Sequence, residues 1–319
     1  MRMSAFQRVL LITAALVVSV TVAAQAAWPV RPVQLIVPFP AGGGVDAIAR
    51  PFAELWSEIL HQPVVVIPRD GAAGTIGTAA VAAAKSDGYT FAFTPNGPIT
   101  VQPHVIPSLP YKHDDLVPVC QLFAVQYVLA VRADSPYKTL RDLVAAAKAQ
   151  PGKLTYGFGG IATAPHLAIS QLAIVANIDM LGVPFRGDPQ AIVALRGGEI
   201  DSAMLNVGGA QAQGFLPLAT FAEARQHEIP DTPTVKELGY PVVSSAFGGL
   251  FAPKGLPADI AKKVDSACAK IVADERFKKA VRQASQEPVY RNGADFARIL
   301  AADYAIKGDV VKRAGVKAQ

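Results

Sequence analysis

Gln34-Leu-Ile-Val-Pro-Phe39 is an apolar run of strand length, and Pro40-Ala-Gly-Gly-Gly-Val-Asp46 follows it directly. The residues from Asp46 to Leu60 then carry apolar side chains at helical spacing. The segment therefore predicts a buried strand, a tight glycine-rich turn and a helix. Glycines in the turn permit close approach of a ligand, and the N–H groups of a helix N-terminus suit a carboxylate or a phosphate. The segment is neither a dinucleotide site nor a P-loop, because the G-x-G-x-x-G spacing and the Gly-Lys-Ser/Thr sequence are absent. The alternative to a ligand site is a plain strand-to-helix turn.

The same alternation of apolar strands and helices continues along the chain. Strands are predicted at 63–67, 89–93, 117–122, 127–131, 154–158, 180–184, 200–205, 217–221 and 241–252. Helices are predicted at 75–84, 140–149, 165–176, 189–196 and over most of 257–319. Apolar strands joined by helical crossovers predict an α/β fold with parallel sheets covered on both faces.

Two lobes are expected, because a proline-rich passage from Pro103 to Pro118 separates two such series and 319 residues suffice for two domains. The helical C-terminal part has no strand series of its own, so it should pack on the first sheet and make that lobe discontinuous. We therefore predict lobe 1 at 27–120 and 222–319, and lobe 2 at 121–221. Two crossover strands, Val117–Leu122 going out and Pro217–Phe221 coming back, would form the hinge.

The first 26 residues have the three parts of a secretory signal. Arg2 and Arg8 lie in a short polar start, an uncharged apolar run follows, and Ala24-Gln25-Ala26 supplies small residues before a cut near Ala26. The apolar run is shorter than the ~20 residues needed to span a membrane, which disfavours an uncleaved anchor. We predict export to a periplasm.

Composition excludes several classes of protein. Charged residues are only 17% of the chain, and loss of the signal lowers the formal charge by two, from +5 to +3. With no Lys/Arg cluster or stacking aromatic run, no nucleic-acid partner is expected. Two cysteines are too few for a disulfide-rich scaffold or a multi-cysteine metal site, and we predict neither metal nor cofactor.

Further loops with ligand-binding character follow other predicted strands. They are Thr94-Pro-Asn-Gly-Pro98, the glycine-rich 157–164, Phe185-Arg-Gly-Asp188, and Asn206 at the end of its strand. In open α/β sheets ligands bind at this carboxyl edge, so the loops of two lobes would face each other across a cleft.

The sequence contains no recognisable catalytic constellation. The five histidines are scattered without H-x-x-x-H spacing, and there is no G-x-S-x-G or C-x-x-C. His166 opens a helix beside a glycine-rich loop, where capping or packing is the more frequent role. Arg186 suits a bidentate bond to a carboxylate, although a solvent-facing arginine fits equally well.

Cys120 lies on the predicted outgoing strand, and Cys268 lies on a C-terminal helix. Export places both in an oxidising compartment, where two lone cysteines are more often paired than free. The alternative is a pair of small buried hydrophobic residues, because nothing in the sequence fixes their separation.

The chain also resembles a known family, the Bug (Bordetella uptake gene) receptors, which are the TctC-like extracytoplasmic solute receptors of tripartite tricarboxylate transporters. The resemblance begins with the run from Trp28 to Gly44 and spans essentially the whole mature chain. Further matching motifs, in order, are Gln62-Pro-Val-Val-Val66, Gly71-Ala-Ala-Gly74, Asp87-Gly-Tyr-Thr90, Pro151-Gly-Lys-Leu-Thr-Tyr156, Val183-Pro-Phe-Arg-Gly187, Pro230-Asp-Thr-Pro-Thr-Val235 and Gly249-Leu-Phe-Ala-Pro253.

The resemblance implies a two-lobed periplasmic binding protein of type II topology without catalytic activity. Such a receptor closes over a small carboxylated solute and delivers it to membrane permease subunits; we expect a monomer. The family's ligand loops fall on Pro40, Ala41, Gly42 and Gly43, on Asn96, Gly97 and Pro98, on Gly160, Ile161, Ala162 and Thr163, on Arg186, Gly187 and Asp188, and on Asn206.

The chain departs from the family pattern at the ligand face. Ile161 replaces a usual asparagine, Ala162 a usual glycine and Leu205 a usual acidic residue, which favours a less polar solute. Two other functions stay open at this point. A receptor that presents its ligand to a sensor has the same sequence features, whereas the missing nucleophile–base pair disfavours a secreted α/β hydrolase.

Overall fold

A computed structural model describes residues 28–315 apart from Arg186, His227 and Ser245. The predicted signal peptide at 1–26 lies outside the described residues. The strands are β1 (Val33–Val37), β2 (Val64–Pro68), β3 (Thr90–Pro95), β4 (Leu116–Val125), β5 (Tyr127–Val131), β6 (Thr155–Phe158), β7 (Leu181–Pro184), β8 (Ser202–Asn206), β9 (Leu216–Thr220), β10 (Ala246–Pro253) and β11 (Glu287–Asn292).

The helices follow the strands on both faces of each sheet. They are α1 (Gly44–Leu60), α2 (Thr75–Ala82), α3 (Gly97–Thr100), α4 (Gln102–Val105), α5 (Leu140–Ala149), α6 (Ala164–Ala176), α7 (Asp188–Gly197), α8 (Val207–Ala212), α9 (Ala258–Ala273), α10 (Glu275–Gln283) and α11 (Gly293–Ala314). One-turn 3-10 helices occur at Ala72–Gly74 and His113–Asp115. Within the described ranges, no helix combines the length and apolar character needed to cross a membrane.

Two sheets define two lobes, which confirms the predicted α/β architecture. The first sheet has the strand order β11-β4-β10-β3-β1-β2, and the second has the order β7-β6-β8-β5-β9. Each sheet is mixed, however, and not parallel as the sequence predicted. The strands β4, β10, β5 and β9, which flank the two passages between the lobes, pair antiparallel to their neighbours because the chain enters each sheet from the opposite end.

The C-terminal part was predicted without a strand, and this was wrong. Glu287–Asn292 forms β11, which pairs with β4 at the edge of the first sheet. Its pairing is short and interrupted by a register shift, and most of its residues are exposed or half-buried. A short, polar edge strand lacks the apolar run that marks a buried one, which explains why the sequence did not reveal it.

The outgoing passage between the lobes is the break between β4 and β5 at Gln126. β4 therefore stays in the first sheet to Val125, beyond the predicted boundary at 120. On the return side, Val235 and Val242 pack in the core of lobe 2. The structure thus favours a return to lobe 1 just before β10, later than the predicted 222.

The core of lobe 1 has α1, α9 and α10 on one face of the sheet. Phe52 and Trp56 of α1 are fully buried there against Phe91 and Phe277. Cys120 of β4 and Cys268 of α9 are joined by a disulfide, with their Cα atoms 6.5 Å apart. The bond ties a C-terminal helix to the strand that leads out of the lobe.

The lobes also meet away from the two connecting segments. Val310 and Val311 of α11 pack with Leu167 of α6 in one buried cluster that contains residues of both lobes. On another side, Gly208 lies so close to Ser285 that a Cβ at Gly208 would overlap the serine side chain. Helix α11 of lobe 1 therefore packs against lobe 2.

Candidate solute-binding site

Two adjoining cavities lie between the lobes at the carboxyl ends of the strands. The first, which we term the polar chamber, has a volume of about 270 Å³ and is lined by residues that include Asn96, Gly97, Tyr127, Thr163 and Asp188. The second, the apolar chamber, has a volume of about 490 Å³ and is lined by Ala72, Ala73, Gln102, Val105, Ile106, Gly160, Ile161, Ala162, Pro184 and Phe185. Ala73, Gln102 and Ala162 line both chambers, so the two lie side by side.

The structure gathers part of the predicted site around these chambers. Asn96, Gly97, Pro98, Ala162, Thr163 and Asp188 line the polar chamber, and Gly160, Ile161 and Ala162 line the apolar one. Pro40, Ala41, Gly42, Gly43, Gly187 and Asn206 are not among the described lining residues, and Arg186 lies outside the described residues. The ligand roles of all these residues stay predictions.

The glycine-rich turn that precedes α1 is held by Asp46. The Gly42 N–H, at a φ of +78° that favours glycine, donates a 2.8 Å hydrogen bond to the Asp46 carboxylate. Arg50 donates a second 2.8 Å bond to the same oxygen. Burial acts to raise the pKa of Asp46, but the bonds from Arg50 and Gly42 outweigh it and the pKa is lowered. Asp46 therefore serves as an ionised support of the turn rather than as a proton-transfer group.

Asn96, immediately after β3, is buried and fully engaged within lobe 1. Its Nδ2 donates a 2.7 Å bond to Asp303 of α11, and its Oδ1 accepts a bond from the Phe247 N–H. Because the amide is already used, a ligand in the polar chamber would meet the backbone of this loop. A Cβ at Gly97 would touch nothing within 4 Å, which means that this position faces open space.

The loop from Gly159 to Thr163 is stabilised from within. The Ala162 N–H donates to Nδ1 of His166, and the Thr163 hydroxyl donates to the Gly160 carbonyl at 2.7 Å. The His166 ring stacks on Phe158, and burial lowers its pKa to about 4. A neutral imidazole that accepts at Nδ1 fits the packing role that the sequence favoured.

Ala162 itself has a φ of +56°, in the region that glycine favours. Ala72 and Ala73 have φ values of +47° and +54°. All three alanines line the apolar chamber, so strained backbone is concentrated on both sides of the cleft. Gly71-Ala-Ala-Gly74 carried no predicted site residue.

Asp188 begins α7 and is held by Asn206 at the end of β8. Its Oδ2 accepts bonds from the Asn206 backbone N–H at 3.1 Å and from the Asn206 amide at 2.6 Å. Burial raises the pKa of Asp188 despite these two bonds. Burial also raises the pKa of Tyr127, helped by the negative charge of Asp188. Asp188 is thus a carboxylate at the chamber wall that has little solvent to stabilise its charge.

The N-terminus of α6 lies at the polar chamber, and of its two lining helical residues Ala164 has an N–H whereas Pro165 has none. Thr163, Ala164 and Pro165 line this chamber, and no side chain caps the thirteen-residue helix. Its leading N–H groups and the positive end of its dipole therefore favour an anion there. Among the described residues, no group of three or more His, Cys, Asp or Glu side chains is arranged to hold a metal ion.

Comparison with known proteins identifies the family. A model of the tripartite tricarboxylate transporter family receptors matches residues 48–316. The chain belongs to this family. Among curated relatives, Protein BugT of Bordetella pertussis is 37% identical over 72% of this chain and 72% of its own length. A UPF0065 protein of Pseudomonas sp. strain P51 is also 37% identical, over 81% and 78% of the two chains.

Solved structures of receptors share the fold. A TctC solute-binding protein from Polaromonas, without ligand, has a TM-score of 0.82 and 30% identity over 90% of this chain and 99% of its own. Rpa4515 of R. palustris, solved with adipate, has a TM-score of 0.77 and 27% identity over 91% and 99%. MatC of Rhodopseudomonas palustris, solved with malate, has a TM-score of 0.74 and 27% identity over 89% and 100%. This receptor therefore has the two-lobed, type II-like fold of a periplasmic binding protein, as the sequence predicted.

Sequence reasoning missed one polar residue of this receptor's cleft. Gln102 lies in the four-residue α4, is only 5% exposed and lines both chambers. So short a helix has no periodicity, and the sequence offers no signal that would distinguish Gln102 from an ordinary surface glutamine.

Proposed function

We propose that the protein is a periplasmic receptor that closes over a small carboxylated solute and passes it to the membrane subunits of a tripartite transporter. We further propose that it acts as a monomer, without catalysis, after export and a cut near Ala26. The solutes named for Rpa4515 and MatC, adipate and malate, are carboxylates, which supports the same class for this chain.

The observation that carries the proposal is the polar chamber between the lobes. It lies at the uncapped N-terminus of α6, beside the open backbone at Gly97. Carboxylate oxygens are good acceptors for such N–H groups, and closure of two lobes removes them from water, where each bond is stronger.

Thermal shift and calorimetry with carboxylates and their neutral amides test the proposal. We expect hexanoate, adipate or malate to stabilise the protein, by about 2.7 kcal/mol at a hundredfold excess over the Kd. The matching hexanamide, adipamide and malamide should give no shift, because they lack the charge that the helix N-terminus favours. Equal effects of acids and amides, or no effect of any of the three acids, would contradict carboxylate recognition.

A substitution locates the binding. Gly97→Leu should abolish the shift, because its side chain would occupy the open space of the chamber. Gly197→Leu, on the exposed end of α7, is the matched control and should bind as the wild type does. Binding that survives Gly97→Leu would place the solute elsewhere.

A further inference from the structure

Among the described residues, no charged side chain lines the apolar chamber. Its described lining consists of alanines, glycine, proline and the larger apolar side chains Val105, Ile106, Ile161 and Phe185, with Gln102 as the one polar side chain. A carboxylate buried here would lose its hydration without gaining an ion pair from the described lining. The side chains of the chamber are therefore suited to hydrocarbon, and its polar surface comes from Gln102 and from the backbone.

The apolar chamber is backed by a buried hydrophobic cluster that contains residues of both lobes. Val105 of lobe 1 and Ala162 of lobe 2 belong to one buried cluster. The cluster also contains Leu167, Val310 and Val311. Because the cluster joins the lobes, an apolar group in the chamber would extend an existing hydrophobic contact. Removing further apolar area from water at this place would favour the closed form.

Gln102 supplies a polar contact at the junction of the two chambers. Its side chain is buried, and no hydrogen bond joins its amide to the rest of the described chain. Because neither amide atom of Gln102 is among the fully buried atoms that lack a partner, the amide is open to the chambers and is available to an occupant of the cleft. The Nε2 group can donate to an oxygen held in the polar chamber.

We propose that the solute is a monocarboxylate with an apolar body rather than a dicarboxylate or tricarboxylate. Its carboxylate lies at the N-terminus of α6 and accepts a hydrogen bond from Gln102, and its apolar body fills the space beside Ile161 and Phe185. The inference rests on the proposed function, since it specifies the solute of that same site.

Hexanoate and adipate form the test pair, because they share six carbons and differ by one carboxylate. Calorimetry should give a dissociation constant at least tenfold lower for hexanoate than for adipate. Equal affinities, or tighter binding of adipate or malate, would overturn the inference and leave the proposed function intact. If none of the three acids binds, the proposed function itself fails.

Two variants make the test specific to the apolar chamber and its junction. Ile161→Asn should weaken hexanoate at least tenfold and leave adipate less affected, whereas Val193→Asn, an exposed apolar residue of lobe 2, should change neither. Gln102→Leu should weaken hexanoate about tenfold, whereas Gln283→Leu on exposed α10 should not. Wild-type affinity for hexanoate in both Ile161→Asn and Gln102→Leu would contradict the proposal. As a control, each variant without ligand should unfold at the same temperature as the wild type, which shows that it is folded.

Discussion

Each lobe has an asparagine at the end of an interior strand and an aspartate that binds it, but the two pairs are used differently. In lobe 1, Asn96 bonds to Asp303 of the distant helix α11, beside the buried Lys307. In lobe 2, Asn206 bonds to Asp188, which lines the polar chamber. An asparagine–aspartate pair thus anchors a loop in lobe 1, whereas in lobe 2 a pair of the same residue types places a negative charge at the cleft.

The lobes differ most in covalent support, because the disulfide belongs to lobe 1 alone. Replacing both Cys120 and Cys268 with alanine should lower the free energy of unfolding by about 4 kcal/mol, since the bond closes a loop of 148 residues. Both tryptophans, Trp28 and Trp56, lie in lobe 1, so urea unfolding followed by tryptophan fluorescence reports that lobe.

Circular dichroism reports the secondary structure of both lobes, so its unfolding transition is compared with the one seen by tryptophan fluorescence. The fluorescence transition should move to lower urea concentration more than the circular dichroism transition does. Intact mass after alkylation of the unreduced, denatured protein tests the bond directly, and two alkylated thiols would contradict it.

The Asn96–Asp303 pair should matter for folding rather than for binding. Lys307 is 1% exposed, donates to Ser244 at 2.7 Å and has Asp303 as an acidic neighbour at 3.9 Å. Asp303→Ala would leave both the lysine and the Asn96 amide without this partner and should cost about 3 kcal/mol of stability in chemical unfolding. Asp309→Ala, on the exposed side of the same helix, should cost less than about 0.5 kcal/mol. Equal costs would refute the anchoring role.

His166 should make the stability of lobe 2 depend on pH. Its folded-state pKa of about 4 is below the unfolded value of 6.5, so it contributes stability above pH 6.5 that is lost as the pH falls towards 4. The wild type should therefore lose up to about 3 kcal/mol more than His166→Gln between pH 7 and pH 4 in urea unfolding. His61→Asn, on an exposed helix end, should behave as the wild type. Parallel pH profiles for wild type and His166→Gln would contradict burial of this ring.

The Asp188–Asn206 pair should matter for binding rather than for folding. Asp188→Asn removes a negative charge from the chamber and should tighten hexanoate binding about three- to tenfold by calorimetry. Asp179→Asn, an exposed residue of lobe 2, should leave the affinity unchanged. Weaker or unchanged binding in Asp188→Asn would contradict a repulsion between Asp188 and the bound carboxylate.

The smallest effect is expected at Ala162. Ala162→Gly relieves a left-handed backbone and should stabilise the protein by about 0.5 kcal/mol, because the relief exceeds the added entropy of the unfolded chain. Ala173→Gly in α6 has ordinary helical geometry and should destabilise by about 1 kcal/mol. Thermal unfolding of both variants checks the sign, and destabilisation by Ala162→Gly would argue against the strain.

The sequence predicted those features that local pattern encodes. The predicted bounds of α5 are correct, and a capping box of Thr139 and Asp142 marks its start. The predicted bounds of β5 are also correct, because its five apolar residues lie between polar neighbours. The rule that ligands bind at strand ends predicted the loops after β3 and β6, which line the chambers, and also the turn from Pro40 to Gly43, which does not. The partnership of Asn96 with Asp303 was not predictable, because it joins residues 207 apart that meet only through α11.

The strand order of the first sheet also constrains the order in which the chain folds as the proposed export delivers it, N-terminus first. β10 lies between β3 and β4, so these earlier strands have no neighbour on that side until residue 246 has emerged. Lobe 2, in contrast, has all its strands once β9 is made. We therefore expect the second lobe to fold first, although the first begins earlier. Cys120 then stays a free thiol on a temporary sheet edge until Cys268 arrives, which exposes lobe 1 to wrong pairing with other chains during that interval.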